Sequence, residues 1–226
     1  MDPLDSSRYF SDPAVAAMVD DIQRGKLARV QQHLAAGINP NAPGISGFRP
    51  IHFVFAASDA AVLKALLAGG ADPKAKLDNG NTPLHFAVRM PNPDFTAVLL
   101  ASGADPNARG ENDKPVIHEA LSSHAPEILR LLARAGADLN VVWGYETPLC
   151  AAIIIFQWPM AATLLDLNAD LAYRDRAGKT AVDRFCERAN RVPPNPANSS
   201  GIIQLFAAFR ARGIQPPCAA LEQKFK

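Results

Sequence analysis

The feature that most constrains the fold is a 33-residue repeat. Three histidines recur at this spacing: His52, His85 and His118. Four glycines recur at the same spacing: Gly37, Gly70, Gly103 and Gly136. A period of this length is typical of proteins that stack one small structural unit many times. Because a single unit cannot bury its apolar face alone, neighbouring units must share a continuous core.

Each unit has the signals of two helices followed by an extended loop. The segment TPLHFA opens with Thr82, whose hydroxyl can cap a helix. The proline that follows occupies the first helical position, where its missing N–H costs nothing. TPLCAA repeats this pattern from Thr147. Second helices such as EILRLLARAG at 127–136 carry leucines at helical spacing and end in glycine, which tolerates a left-handed cap.

These motifs resemble those of the ankyrin-repeat family, whose units carry Gly-x-Thr-Pro-Leu-His-x-Ala-Ala, a leucine-rich helix and then Gly-Ala-Asp. The resemblance covers residues 14–213 and is clearest in GNTPLHFA at 80–87 and Gly-Ala-Asp at 103–105. It implies an all-α ankyrin-repeat solenoid of about six helix-turn-helix units with hairpin loops. It also implies that the recurrent histidines hydrogen-bond to the loops of adjacent repeats.

The predicted units differ in how closely they follow the pattern. We place them near residues 14–43, 44–76, 77–109, 110–142, 143–174 and 175–213, between an N-terminal extension at 1–13 and a C-terminal tail at 214–226. The first unit lacks Thr-Pro-Leu-His, and the fifth has Cys150 in place of the histidine. The sixth contains a proline-rich insertion at 191–201, which we expect to form a surface loop between its two helices.

The composition favours a single soluble domain and gives no reason to expect nucleic acid as a partner. The chain has 226 residues, of which 48% are hydrophobic, and a net charge of +1. Its longest apolar run, CAAIIIF at 150–156, is too short to span a bilayer. The N-terminus given shows no basic region followed by an apolar stretch. We therefore expect a cytoplasmic location by default, or a periplasmic one if a leader has been removed.

The three cysteines do not form a recognisable pattern. Cys150 and Cys186 fall at helix positions that should face the core, where a free thiol behaves as a small hydrophobic group. Cys218 lies in the predicted tail and could be exposed. With neither Cys-x-x-Cys spacing nor an even count, we expect no structural disulfide.

One segment resembles a zinc-protease motif without meeting its geometry. HEALSSH runs from His118 to His124, so its two histidines are six residues apart. On a helix this spacing is about 600° of rotation, which points the imidazoles about 120° apart. No nucleophile elbow, phosphate-binding loop or dinucleotide-binding glycine pattern occurs. We therefore expect a non-enzymatic protein with no metal or cofactor, and a hydrolase is the least favoured alternative.

Without a catalytic motif, the repeats predict recognition of another protein. Stacked units present their hairpin tips and the sides of their first helices on one concave surface. We expect Trp143 and Tyr145 to contribute most, because Trp and Tyr are frequent interface anchors. The predicted contact residues are Phe48, Asp78, Asn79, Asn81, Arg89, Met90, Glu111, Asn112, Lys114, Trp143, Tyr145, Glu146, Ile154, Ile155, Tyr173, Arg174 and Arg176.

The fifth unit carries the most unusual of these residues. Ile154 and Ile155 fall at positions that are normally polar in the family and face outward. With Trp143, Tyr145 and Phe156 they would form an apolar patch, which usually marks a partner surface. Alternatively, the helix is shifted and the isoleucines belong to the core. Basic residues concentrated in the sixth unit either face an acidic region of the partner or form a solvated end of the stack.

Two kinds of binding function fit this sequence. Its alanine-rich style and its opening, YFSDPAVAAMVDDIQRGKL at 9–27, resemble small bacterial ankyrin proteins. Some of these proteins neutralise antibacterial toxins such as the lipase effectors of type VI secretion. The resemblance implies a dedicated inhibitor or immunity protein that binds one toxic effector enzyme and is monomeric when free. The alternative is a general scaffold or host-directed interaction protein with several weaker partners.

Overall fold

The computed structural model describes residues 5–56 and 60–226, apart from the side chain of Ala197. Residues 1–4 of the predicted N-terminal extension therefore lie outside the described part. The α-helices are α1 (Pro13–Gln23), α2 (Leu27–Ala35), α3 (Ala61–Ala68), α4 (Pro83–Ala87), α5 (Asp94–Ala101), α6 (Val116–Ala120), α7 (Pro126–Arg134), α8 (Pro148–Ile154), α9 (Trp158–Asp166), α10 (Ala181–Arg191), α11 (Pro196–Ala211) and α12 (Glu222–Phe225).

Short 3-10 helices complete the helical structure. They are Ser6–Arg8, Ile45–Gly47, Pro50–Ala56, Glu111–Asp113, Leu121–Ser123 and Ala219–Leu221. In the predicted second unit, the segment around His52 forms the 3-10 helix Pro50–Ala56 in place of an α-helix. The described residues form no β-strand, only isolated bridges such as that between Trp143 and Glu146. The predicted all-α architecture of helix pairs and hairpin loops is confirmed.

The chain divides into two compact units, Met1–Val116 and Ile117–Lys226. Each unit buries its own apolar core. Fully buried side chains include Met18, Ile22, Leu63, Leu66 and Leu84 in the first unit, and Ile128, Leu132, Leu164, Phe185 and Phe206 in the second. Within the described residues, no helix is both long enough and apolar enough to cross a bilayer.

Helix boundaries follow the predicted local signals. Thr82 caps α4 in a capping box, in which its backbone N–H donates to His85 Nδ1 at 3.0 Å. At α8, Thr147 Oγ1 accepts a hydrogen bond from the Cys150 N–H at 3.4 Å. After α3, Gly70 has a φ of +88°, where glycine avoids the penalty that a β-carbon would bring.

The recurrent histidines connect neighbouring hairpins and helices. His52 Nε2 donates to the Ala75 carbonyl oxygen at 3.2 Å, and its Nδ1 accepts from the Arg49 N–H at 3.0 Å. His118 Nε2 lies 3.1 Å from the Val141 carbonyl oxygen, to which it donates. Burial lowers the pKa of His52 to about 4, so this imidazole is neutral at pH 7. The structural role implied by the family resemblance is confirmed for His52 and His118.

Asparagine side chains join successive loops inside each unit. In the first unit, the Asn41 amide donates to the Gly70 carbonyl oxygen and accepts from the Asp72 N–H, both at 2.8 Å. In the second, Asn140 Oδ1 accepts from the Asp170 N–H at 2.7 Å. These bonds satisfy loop backbone groups at the point where one repeat meets the next.

The expectation that no disulfide forms is wrong. Cys186 in α10 is bonded to Cys218 in the tail, with their Cα atoms 5.5 Å apart. Cys150 is free and buried, as expected. The pairing has no sequence signature, because the two cysteines are 32 residues apart and the third makes the count odd. It forms because the tail folds back onto α10.

The insertion at 191–201, predicted to be a surface loop, is helical from Pro196 onward. Asn195 caps α11 by accepting a backbone N–H of the first turn at 2.9 Å. Pro196 follows this N-cap at the first helical position, so these two residues start a helix. Gly201 is buried against Trp158, where an added β-carbon would lie 2.4 Å from the Trp158 Cβ. Packing thus requires glycine at this point of the helix.

Candidate partner-binding surface

Exposed apolar side chains of the second unit lie at a hairpin tip and directly after α8. Tyr145 is 60% exposed, Ile155 is 49% exposed and Phe156 is 40% exposed. Two arginines, Arg176 and Arg188, lie over the two aromatic rings. We call these five residues the arginine-aromatic surface.

A two-residue hairpin presents Tyr145 to solvent. The Trp143 N–H donates to the Glu146 carbonyl oxygen at 3.1 Å, and the Glu146 N–H donates back at 3.2 Å. Gly144 has a φ of +65°, which lets the chain reverse direction within two residues. The Tyr173 hydroxyl donates to the Tyr145 carbonyl oxygen at 3.0 Å and so holds the tip against the following hairpin.

Ile155 and Phe156 follow α8 in a turn whose backbone conformation favours glycine. Phe156 has a φ of +63°, and the Gln157 N–H after it donates to the Ala152 carbonyl oxygen at 2.8 Å. A β-carbon in this region costs roughly 1–2 kcal/mol. The ring meets Trp158 edge-on at 5.7 Å between centroids, yet much of it remains exposed. Phe156 thus holds a partly exposed aromatic ring in a backbone conformation that favours glycine.

The two arginines contact the rings without being ion-paired. Arg176 Cζ lies 5.1 Å from the centroid of the Tyr145 ring, and Arg188 Cζ lies 5.3 Å from that of Phe156. Both distances are within the range of cation–π attraction. In the described part of the chain, neither guanidinium forms a salt bridge with a carboxylate. Their charge is therefore not neutralised by a direct partner in this structure.

Arg184, one turn before Arg188 on α10, is by contrast paired inside the protein. Its Nε donates to Asp175 Oδ2 at 2.6 Å and its Nη1 to Glu187 Oε2 at 3.2 Å. Lys179 also pairs with Glu187. Burial opposes ionisation of Asp175, but hydrogen bonds from the Lys179 N–H and from Arg184 outweigh it and lower the pKa of that carboxyl. This network holds the hairpin at 175–179 against α10.

Glu146 lies next to Tyr145 at the hairpin tip. It lines a pocket of about 230 Å³ together with Tyr145, Asp175, Arg176, Ala177 and Arg184. Burial raises the pKa of Glu146, and the positive charges of Arg184 and Arg188 partly oppose this rise. Glu146 is thus a negative group in the pocket beside Tyr145 and Arg176.

The other predicted contact residues of the second unit surround this surface. Trp143, expected to be a leading anchor, is half-buried with its ring 5.7 Å from that of His118. Ile154, expected to be exposed, is half-buried at the end of α8, because the exposed side of the turn begins one residue later. Tyr173 is half-buried, and Arg174 is exposed.

In the first unit, most predicted contact residues lie on the surface, but none belongs to a cluster of exposed apolar side chains. Asp78, Asn79, Arg89, Glu111 and Asn112 are exposed, while Met90 and Lys114 are half-buried. Asn81 has a structural use as well, because its Oδ1 accepts the Glu111 N–H at 3.0 Å and joins two hairpins.

Phe48 was expected at a solvent-facing tip, and the structure corrects this. Its half-buried ring lies 5.1 Å from that of Tyr9 and 5.3 Å from that of Phe53. The N-terminal extension folds over the hairpin and covers it. The repeat pattern contains no information about that extension, so the sequence could not predict this contact.

Two residues of the surface were not among the predicted contact residues. Phe156 was named only as a neighbour of the isoleucines, and Arg188 only as one of several basic residues. For Phe156 a signal exists: IIIFQWP contains no glycine, so a residue with a side chain must occupy the left-handed position of the turn. For Arg188, the signal is its place four residues after Arg184, on the same face of α10.

Comparison with protein-family models matches the family described as ankyrin repeats (3 copies), over residues 16–110 and 51–143. Together these matches extend from residue 16 to 143, more than half of the chain. No curated protein sequence is significantly similar to it. Ankyrin repeats are typically non-enzymatic and bind other proteins. The chain therefore belongs to the ankyrin-repeat family of protein–protein interaction modules.

Proposed function

We propose that this protein is an inhibitor that binds one dedicated partner through the arginine-aromatic surface. In its most specific form, the partner is a toxic effector enzyme such as a lipase, and the protein is a bacterial immunity protein. The observation that carries the binding proposal is the joint exposure of Tyr145, Ile155 and Phe156. Exposed apolar clusters mark interaction sites, and Tyr and Arg are frequent anchors of interfaces.

The inhibitory role and the toxin rest on a different observation, the resemblance of residues 9–27 to small bacterial ankyrin proteins. The disulfide between Cys186 and Cys218 supports the same proposal. Disulfides persist in oxidising compartments such as the bacterial periplasm and are rare in the cytosol. We therefore favour the periplasm as the place where the protein meets its partner.

The test is to isolate the partner and to measure its affinity for surface variants. The purified protein is used to capture proteins from an extract of the native organism, and mass spectrometry identifies them. Calorimetry then compares the wild type with Tyr145→Ala and Ile155→Asp. We expect one enzyme, inhibited at equimolar concentration, and a loss of about 2 kcal/mol or more of binding free energy in each variant.

A matched control lies in the first unit. Ile45 is 56% exposed, comparable to Ile155, but it does not belong to the surface. Ile45→Asp should bind like the wild type, and all three variants should keep the wild-type melting temperature. Equal weakening by Ile45→Asp would disprove the proposed surface. Several weak partners without an inhibited enzyme would instead favour the general scaffold.

A further inference from the structure

We propose which kind of protein segment binds to the arginine-aromatic surface, an inference that rests on the proposed function. The arginine-aromatic surface takes a protein segment that presents carboxylates next to an aliphatic or aromatic side chain. The carboxylates pair with Arg176 and Arg188, and the apolar side chain packs on Ile155 and Phe156.

The segment 173–191 keeps a positive charge after the ion pairs inside the unit are counted. Residues 173–191 contain six basic and three acidic side chains, an excess of three positive charges. All three acids are engaged inside the unit: Asp175 by Arg184, Asp183 by the Thr180 N–H at 2.8 Å, and Glu187 by Lys179 and Arg184. Positive charge therefore remains on the outside, where it attracts an acidic partner.

Arg176 and Arg188 each lie on an aromatic ring and form no salt bridge with the residues that the structure describes. A guanidinium that lies on a ring keeps the N–H donors at its edge free to bind a carboxylate with two parallel hydrogen bonds. Contact with the rings of Tyr145 and Phe156 also restricts Arg176 and Arg188 before the partner arrives. Less conformational entropy is then lost on binding.

Apolar side chains lie beside the arginines. Ile155 is about half exposed and has no polar group to offer a ligand, so it favours an apolar side chain of the partner. A nucleic acid could place phosphates on the same arginines, but Arg176 and Arg188 already cover one face of each ring on which bases would stack. The observations therefore favour a protein segment.

One group opposes an acidic ligand. The Glu146 carboxylate accepts no hydrogen bond from the residues that the structure describes, and it lies near Arg184 and Arg188. Its negative charge should weaken the binding of a carboxylate. Removing that charge with Glu146→Gln should therefore raise the affinity for an acidic segment, which is opposite to the effect of removing an arginine.

The experiment uses the full chain and defined probes. Three labelled nonapeptides share a Leu-Phe core that is flanked by glutamates, glutamines or lysines, and a single-stranded oligonucleotide of similar length is the fourth probe. Fluorescence anisotropy measures their affinities. We expect the glutamate peptide to bind about tenfold more tightly than the glutamine peptide, because two partly exposed charge pairs contribute.

Variants assign this preference to particular residues. Arg176→Gln/Arg188→Gln should remove most of it, while Arg24→Gln/Arg134→Gln, which removes the same charge elsewhere, should keep it. Glu146→Gln should raise the affinity for the glutamate peptide about twofold. Circular dichroism melting checks that each variant is folded, and the single variant Arg188→Gln provides a milder change that should show about half of the loss.

Several outcomes would overturn the inference. They are equal binding of the lysine peptide, a glutamate preference that survives Arg176→Gln/Arg188→Gln, tighter binding of the oligonucleotide, or no peptide binding at millimolar concentration. The glutamate and glutamine peptides could instead bind equally, and Ile155→Asp could abolish the binding of both. That result would support the proposed surface and show that its ligand is not acidic. Glutamate-specific binding that is unaffected by Ile155→Asp would instead count against the apolar part of the proposed surface.

Discussion

Two groups of aromatic side chains in the described residues differ in their exposure to solvent. In the first unit, Phe53 is surrounded by Tyr9, Phe10 and Phe48 at ring distances between 5.2 and 5.8 Å and is 6% exposed. In the arginine-aromatic surface, Tyr145 is 60% exposed. Aromatic residues near hairpin tips therefore indicate a binding surface only where no other part of the chain covers them.

The two terminal segments account for this difference. The N-terminal extension lies on the first unit, where the Tyr9 carbonyl oxygen accepts the Ile45 N–H at 3.0 Å and the Ser6 hydroxyl donates to the Ala16 carbonyl oxygen at 2.8 Å. The C-terminal tail is attached to α10 by the disulfide at Cys186 and leaves Tyr145 exposed. One segment thus completes an aromatic core, and the other leaves the hairpin tip at Tyr145 exposed.

The largest effect is expected where a buried ring is removed. The free energy of unfolding should fall far more than on removal of an exposed ring. Phe53→Ala should lower the free energy of unfolding by about 3–5 kcal/mol, because it leaves a cavity among packed rings. Tyr145→Ala should lower it by less than about 0.5 kcal/mol, since an exposed ring buries little surface. Urea unfolding followed by circular dichroism measures both values. Similar losses in the two variants would contradict the comparison.

The second prediction concerns how the tail is attached. Cys186→Ser/Cys218→Ser opens a loop between residues 32 apart, so the free energy of unfolding should fall by about 3 kcal/mol. Urea unfolding of the oxidised protein measures this loss. Wild-type protein in dithiothreitol should unfold like the double variant, and the double variant should not respond to the reductant. A wild-type protein that is indifferent to dithiothreitol would show that packing alone holds the tail.

A smaller effect on stability than that of the disulfide is expected at the strained turn. Phe156→Gly relieves the left-handed strain but loses the contact with Trp158, so the free energy of unfolding should change by no more than about 1 kcal/mol. Binding of the partner should weaken by about 2 kcal/mol. The control is His124→Gly, since His124 also has a positive φ, +58°, and lies outside the surface. A loss of several kcal/mol of stability in Phe156→Gly would make Phe156 a packing residue.

Much of the arginine-aromatic surface could be predicted from the sequence. Tyr145 and Ile155 were identified because an aromatic residue at a hairpin tip and a β-branched residue at a normally polar position are unusual. Arg176 followed from its place in the next hairpin. Trp143 and Phe48 were predicted equally, but their exposure depends on His118 and Tyr9, which no local pattern connects to them.

The sequence by itself determined the helix pairs, because caps such as Thr147 and terminal glycines such as Gly70 act within a single helical turn. The role of the repeated histidine followed from the resemblance of its motif to that of the ankyrin-repeat family, and His52 and His118 fulfil it. Only the tertiary structure decided the disulfide of Cys186, the cover over Phe48 and the exposure of Phe156. Each of these features depends on whether segments far apart in the chain pack against each other. Such contacts do not recur at a fixed spacing, so the repeat pattern does not predict them.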